Sequence, residues 1–430
     1  MTVLAWLAIA IFVLAYVLIA TEWVHRLAAA LGGATLMLVI GITNPEHAFF
    51  SEHAGIDWKV IFLLLGMMLI VSVLKRTGVF EYLAIWATKR ARGRPFRVMV
   101  ILVLVTAVAS AALDNVTTVL LIAPVTFLVC SRLRIPPAPF LIAEVLASNI
   151  GGAATLVGDP PNIIIASRAG LDFNQFLIHM APLVGVALIA HLLLCRIMFR
   201  KVFRDAPDHA ADVMGLNERD AIRDRRLLVV SLGVLGLVLV AFVLHTWLHL
   251  EPSVIALAGG LLLLALSRLD PGEVVREVEW PTLAFFAGLF VMVGGLVATG
   301  VIDQLASAAA SAVEGRLGLA TMVLLFASAG LSAIVDNIPY VATMSPIVAE
   351  LVAHSGGLDQ AQVLWWALAI GADFGGNATA IGASANVVVL GLAERAGHRI
   401  SFWEFTKYGL IVTAVTVALA VPYLWFRYLG

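Results

Sequence analysis

Two short motifs carry the polar chemistry of this chain. Asp114-Asn115, with Thr117 close behind, recurs as Asp336-Asn337. Gly151-Gly152-Ala153-Ala154-Thr155, followed by Asn162, recurs as Gly375-Gly376-Asn377-Ala378-Thr379, followed by Asn386. Three more carboxyls, Glu144, Asp159 and Asp373, stand in the same apolar neighbourhoods. Asparagine amides both donate and accept hydrogen bonds and threonine adds a hydroxyl. Glycine lets the backbone turn and come close to a ligand. Such a set suits reversible binding of a small solute or an ion. It does not suit covalent chemistry, since no nucleophile–base pairing stands out. The ten histidines show no ligand spacing with Cys130 and Cys195, and no phosphate-cradling loop is present. No cofactor, resident metal or enzymatic activity is therefore expected.

The setting of these residues is apolar. Of 430 residues, 61% are hydrophobic and 13% charged, about half the ~25% charged share of soluble domains. The 27 basic residues nearly cancel the 28 acidic ones, so nucleic-acid binding is not expected. Apolar runs of span length recur along the chain, and ~20 helical residues cross a bilayer core. Residues 2–20 lack a preceding Lys or Arg and read as a first span, not a cleaved signal. Further spans are expected near 27–43, 58–75 and 182–199, with a basic amphipathic stretch at 80–94. Residues 96–131 read as an apolar pair around Asp114-Asn115. Residues 138–168 read as a segment broken by Gly-Gly and Pro-Pro, and 201–226 as a polar cytoplasmic linker.

The second half repeats the first. Asp57-Trp58 matches Glu279-Trp280, Thr77-Gly78 matches Thr299-Gly300, and Pro124 matches Pro346, each 222 residues on, like the Asp-Asn pairs. The Gly-Gly motifs and Asn162/Asn386 keep a register of 224. The repeat predicts a second hairpin at 318–354 and a second broken helix at 362–393. Duplicated halves with matching interruptions point to a secondary transporter site at the repeat interface. Cytoplasmic loops carry the Lys and Arg excess. If both Asp-Asn pairs are tips of re-entrant hairpins, 23 basic residues fall on one side and only Lys59, Arg168, Arg316 and Arg427 on the other. The expectation is an all-α membrane protein of ten spans and two hairpins. Its second half would be inverted and both termini would lie outside.

Charges at mid-membrane are costly and usually functional. Each candidate also has a plainer reading. Gly-Gly can be a helix-packing face. Asp114 and Asp336 can be hydrogen-bonded structural residues. Asp159, Asp373 and Glu144, whose repeat mates are Ala383, Asn149 and Leu368, can serve packing. His191, Cys130 and Cys195 read as packing residues, and Trp23, Trp58, Trp280, Trp403 and Tyr423 as interfacial anchors.

Together the runs Leu113-Asp114-Asn115-Val116-Thr117-Thr118, Ala147-Ser148-Asn149-Ile150-Gly151-Gly152 and Gly158-Asp159-Pro160-Pro161-Asn162 resemble the arsenite permease and melanosomal P-protein branch of the ion transporter superfamily. Asp336-Asn337-Ile338-Pro339 and Gly375-Gly376-Asn377-Ala378-Thr379-Ala380-Ile381-Gly382 continue the likeness over nearly the whole chain. The resemblance implies an elevator-type carrier, usually a homodimer. Its scaffold would be 1–94 and 227–317 and its transport domain 95–200 and 318–430. It places ligand-binding tips at Asn115, Thr117 and Asn337, with unwound loops at 151–162 and 375–386. Asp precedes Asn at the first tip, as in the P-protein branch and unlike the bacterial arsenite permeases. The function implied is proton-driven efflux of arsenite or antimonite from a bacterial or archaeal cell. Asp114 and Asp336 would be the leading proton-coupling or ion-binding carboxyls, with Asp159, Asp373 and Glu144 as further candidates, and a soluble arsenite-stimulated ATPase is a potential partner. Arsenite near neutral pH is an uncharged trihydroxy molecule, which suits amides and hydroxyls. Rival readings are a sodium/proton antiporter, an inorganic-anion or dicarboxylate carrier, and, from another class, an anion channel.

Overall fold

The computed structural model describes residues 2–21, 23–51, 54–92, 94–204, 218–312, 316–354 and 359–430. Among them the chain is helical and no strand occurs. Half of the expected linker 201–226, at 205–217, lies outside the described residues. The first half comprises α1 (Val3–Thr21), α2 (Arg26–Ile40), α3 (Pro45–Phe50), α4 (Trp58–Lys75), α5 (Val79–Arg90), α6 (Pro95–Ala112), α7 (Asn115–Leu133), α8 (Ala138–Gly152), α9 (Pro160–Ala169), α10 (Phe173–Met198) and α11 (Arg200–Arg204). The second comprises α12 (Arg225–Leu248), α13 (Pro252–Ser267), α14 (Pro271–Arg276), α15 (Trp280–Ala298), α16 (Val301–Ala312), α17 (Leu317–Ser332), α18 (Asn337–His354), α19 (Val363–Gly375), α20 (Ser384–Arg395) and α21 (Phe402–Leu424).

Eight described helices are long and apolar enough to cross a membrane. Two of these, α6 and α7, are the arms of the first hairpin. Outside the hairpins, six long helices (α1, α4, α10, α12, α15, α21) join two shorter apolar ones (α2, α13) and the two interrupted helices α8/α9 and α19/α20. These ten are the ten spans the sequence leads one to expect. One boundary differs. The run expected near 182–199 begins at Phe173, because Asp172 and Gln175 form a capping box there. Satisfying two otherwise orphaned N–H groups starts the helix early, and Pro182 is carried inside it.

The two hairpins open on opposite faces, and α10 decides it. At its start Phe176 and His179 pack on Trp366, at the head of α19 where the second hairpin ends. At its other end Arg196 lies over Phe96, where the first hairpin begins. The rise of α10 from Phe176 to Arg196 separates these points by roughly 30 Å at 1.5 Å per residue. Helix α7 runs from its tip beside α20, with Phe127 stacked on His398 just past α20. Helix α18 runs beside α9. The second half is therefore upside down relative to the first.

The halves interlock. Helix α4 packs on α13 and α2 on α15. Gly66 permits the first crossing, since a Cβ there would stand 2.3 Å from the Ala256 backbone. Its mate Gly288, 222 residues on, lies against Ala30. After the linker the chain returns to α5, where Lys89 Nζ donates to Glu218 at 2.6 Å. That bond holds the Glu218 carboxyl below its ordinary range.

Candidate functional site

The repeat seen in the sequence is also a repeat of hydrogen bonds. Ser110 Oγ donates to the Ser148 carbonyl at 2.8 Å, and Ser332 Oγ to the Ala372 carbonyl at 2.7 Å. Thr155 donates to the carbonyl of Ala111, and Thr379 to that of Ala333. Asn162 Nδ2 donates to the carbonyls of Gly152 (3.3 Å) and Thr155 (3.2 Å). Asn386 Nδ2 donates to those of Gly376 (2.8 Å) and Thr379 (2.9 Å). Each pair keeps the 222 or 224 spacing. The bonds tie each hairpin to its own broken helix and satisfy carbonyls freed by the interruption, which hydrocarbon could not do.

Glycine is required where the arms meet. A Cβ on Gly151 would lie 2.3 Å from the Ala107 carbonyl oxygen, and one on Gly375 2.5 Å from that of Ala329. Gly152 and Gly376 each lie against the far end of their own break, at Gly158 and Gly382. The Gly and Thr residues of the two motifs thus build the breaks.

The amides meet at the centre. Asn115 Nδ2 donates to Asn149 Oδ1 (3.1 Å) and to Asp159 Oδ2 (2.9 Å). Asn337 Nδ2, from the other tip, reaches the same Asp159 oxygen at 3.2 Å. Asn149 Nδ2 donates to Asn377 Oδ1 (2.9 Å) and Asn386 Oδ1 (3.0 Å). All of these residues are buried, and so is Asp373. Both tips and both breaks are therefore joined in one amide network, with Asp159 bridging the tips. Among the described residues no lysine, arginine or histidine bonds to it.

Asp114 and Asp336 stand at the edge, both half-buried. Asp114 caps α7, accepting from the Thr117 backbone N–H at 2.8 Å. Asp336 accepts from the Ile338 N–H at 3.1 Å and from the Ser384 hydroxyl. Arg26 Nη1 donates to Ser384 Oγ at 2.7 Å. N-cap carboxyls satisfy the first orphan donors of a helix, so each tip is stiffened by its aspartate.

Two cavities flank the centre on opposite faces. One, of about 520 Å³, extends from Lys59, His245 and Glu251 to Leu156 and Ile163. The other, of about 370 Å³, extends from His25 and Arg26 to Asp336, Ile381 and Val387. The repeat relates them, since Val387 is the mate of Ile163. The amides of the centre line neither of these two cavities.

Residues 16–371 match the citrate transporter family. The chain belongs to that family. Like its relatives it is a multi-pass membrane transporter. It is 59% identical over 421 residues to an uncharacterized transporter of Mycobacterium tuberculosis, covering 98% of each chain. To the 46 kDa membrane protein of Mycobacterium leprae it is 56% identical over 423 residues, covering 98% of this chain and 99% of that one. The human P protein is 34% identical over 501 residues, covering 97% of this chain and 59% of that protein. The fold is that of the YdaH transporter of Alcanivorax borkumensis, with a TM-score of 0.63, 14% identity and 99% of both chains covered.

Within this family fold, Glu144 lies apart from the amide network. Both its carboxyl oxygens lie 2.8 Å from Thr126 Oγ1, with Cys130 near it. His191, one helix further, bonds the Ala143 carbonyl and Cys195. The repeat mates of Glu144, Thr126 and Cys130 are Leu368, Val348 and Val352, so this polar cluster exists in one half only. Thr126→Val keeps the shape and removes the donor. It should destabilise the protein by about 1–3 kcal/mol, the cost of a buried group left unpaired, read as a lower melting temperature in detergent. An unchanged melting temperature would show that Glu144 does not need Thr126.

Asn149 is the central residue that matching motif to motif misses, because its mate is an aspartate. The signal was present in that mismatch, which puts an amide in one half where the other has an acid.

Proposed function

We propose that this transporter is a secondary carrier that exports arsenite or antimonite, driven by the proton gradient. The observation that carries this reading is the amide network joining both tips to both breaks. Five asparagines (115, 149, 337, 377 and 386) and the neighbouring Asn162 offer neutral donors and acceptors, and among the described residues no cation bonds to the centre. A citrate or dicarboxylate anion would meet Asp159 and Asp373 without a compensating positive charge. An uncharged trihydroxy solute meets partners for each hydroxyl. The positive ends of the half-helices α9 and α20 at the breaks add to the polarity without adding a titrating cation.

In this reading the transport domain, 95–200 and 318–430, moves as an elevator against the scaffold, 1–94 and 227–317. The two flanking cavities lie between these parts, one on each face, and support such a movement. A homodimer would anchor the scaffold. Both termini would lie outside the cytoplasmic membrane, following the distribution of basic residues.

The test is flux in proteoliposomes with imposed proton and sodium gradients. Arsenite uptake that follows the proton gradient is expected, with Asn115→Ala and Asn337→Ala falling to background while remaining folded. Arsenite flux indifferent to the proton gradient would remove the coupling, and full activity in both variants would remove the site. The two buried carboxyls, with amide and carbonyl oxygens close by, favour a second reading, sodium/proton antiport. Sodium flux without arsenite flux would select it.

A further inference from the structure

The repeat allows each bond at the centre to be compared with its mate. Asn386 commits its N–H groups to the carbonyls of Gly376 and Thr379, leaving Oδ1 to accept from Asn149 Nδ2 at 3.0 Å. Asn162 is held in the same way by the carbonyls of Gly152 and Thr155, leaving its Oδ1 to accept. The residue that stands where Asn149 stands, 224 positions on, is Asp373. An ionised carboxyl has no hydrogen to give.

The result is visible as orphaned atoms. Asp373 is 0% exposed and lies beside Asn162. Both its oxygens and Asn162 Oδ1 are buried without a hydrogen-bond partner. Turning the Asn162 amide over would only set its oxygen against two backbone carbonyls. Buried polar atoms in native structures are rarely left without a hydrogen-bond partner.

We propose that Asp373 is the proton-binding group of this carrier. A proton from solution adds to the Asp373 carboxylate, and the resulting O–H donates to Asn162 Oδ1. The hydroxyl then does for the first broken helix what the Asn149 amide does for the second. When the proton leaves, two fixed oxygens face each other and the tie between α19 and the α9 break is lost. Binding and release of the proton thus bear on whether the two breaks are held together. The inference rests on the carrier reading above, and moves coupling away from Asp114 and Asp336, whose oxygens are engaged at the helix starts.

Among the described residues the surroundings of Asp373 are otherwise neutral or acidic. The α9 break brings Asp159, whose charge acts with that of Asp373, and the tips bring Asp336 and Asp114 further out. Helix α8 contributes Asn149 and, more than a turn below, Glu144. Helix α17 contributes Ser332, and α18 contributes Tyr340, bonded to Ser328. Helix α21 places Thr413 on the Phe374 carbonyl. Helix α10 places His179 on Trp366, two turns away. Arg26 is engaged with Ser384 beside the second tip.

D373N supplies the missing N–H and removes the proton, so it should fold. Infrared difference spectra of the full-length protein in sodium-free detergent should show a protonated-carboxyl C=O band that disappears as pH is raised. That band should be absent in D373N and kept in D159N. The wild-type melting temperature should fall by several degrees over the same pH rise, while that of D373N stays flat and at or above the wild type. A band that persists in D373N would overturn the assignment, as would a D373N protein that does not fold. Sodium that abolishes the band at fixed pH and raises the melting temperature would replace the proton by a metal cation. These readouts need no transported solute. An intact band with no arsenite flux would sink the substrate reading alone, and proton-driven flux retained in D373N would sink this one alone.

Discussion

Asp159→Ala should give a folded protein in which arsenite flux falls by about two to four orders of magnitude. One oxygen of Asp159 accepts from both tips, Asn115 at 2.9 Å and Asn337 at 3.2 Å. Hydrogen bonds to a charged group contribute about 1.5–3 kcal/mol each. Losing both removes about 3–6 kcal/mol, and each 1.36 kcal/mol of barrier is tenfold in rate. The fold should survive, because each hairpin keeps its serine and threonine bonds to its own broken helix. Flux in proteoliposomes at a fixed proton gradient reads the effect. Asp159→Asn separates charge from geometry, since an amide oxygen can still accept both bonds. Retained flux in Asp159→Asn would assign Asp159 the role of holding the tips, and lost flux would assign its charge a part in transport. Wild-type flux in Asp159→Ala would show that the tips need not be joined.

Gly151→Val should abolish folded protein altogether. A Cβ at Gly151 would sit 2.3 Å from the Ala107 carbonyl oxygen, with the Ala107 Cα and carbonyl carbon just behind. These are backbone atoms of a hairpin arm and cannot rotate away. Overpacking a tight interior costs about 1–3 kcal/mol even where side chains can yield, and here none can. Gly151→Ala should be purifiable but less stable, and Gly375→Ala should behave alike, because the repeat gives it the same contact at Ala329. Gly185→Ala is the control, since nothing lies within 4 Å of its would-be Cβ. Gel-filtration profiles and melting curves in detergent measure all four. A monodisperse Gly151→Val protein with wild-type melting would mean that the arms do not meet as described.

Much of the architecture was legible because its signals are local and repeated. Asp-Asn pairs and Gly-Gly interruptions inside apolar runs mark hairpin tips and breaks, and one register of 222 to 224 residues binds them into copies. Boundaries set by capping were harder. Asp172 and Gln175 look like loop residues until they are seen bonded to each other's backbone. The interlocking of α4 with α13 and α2 with α15 was not legible, since a glycine in an apolar span does not name its partner helix. At the site, reading by matched pairs found the tips and breaks but passed over Asn149, whose importance lies in failing to match. The roles of Asp114 and Asp336 also could not be read from type and depth alone. A carboxyl at a helix start and one with orphaned oxygens look identical in a string of letters.

A ribosome making this chain releases Gly66 long before Ala256 exists. The same holds for Ala30 and Gly288, so these two helix crossings have no counterpart until the second half emerges. During synthesis the early spans must wait in lipid, their narrow glycine and alanine grooves filled only by acyl chains. Membrane insertion of this protein is thus obliged to be a two-stage affair. Nonsense or frameshift lesions past the midpoint would leave a stranded half for quality-control proteases, and premature termination should yield no surviving fragment.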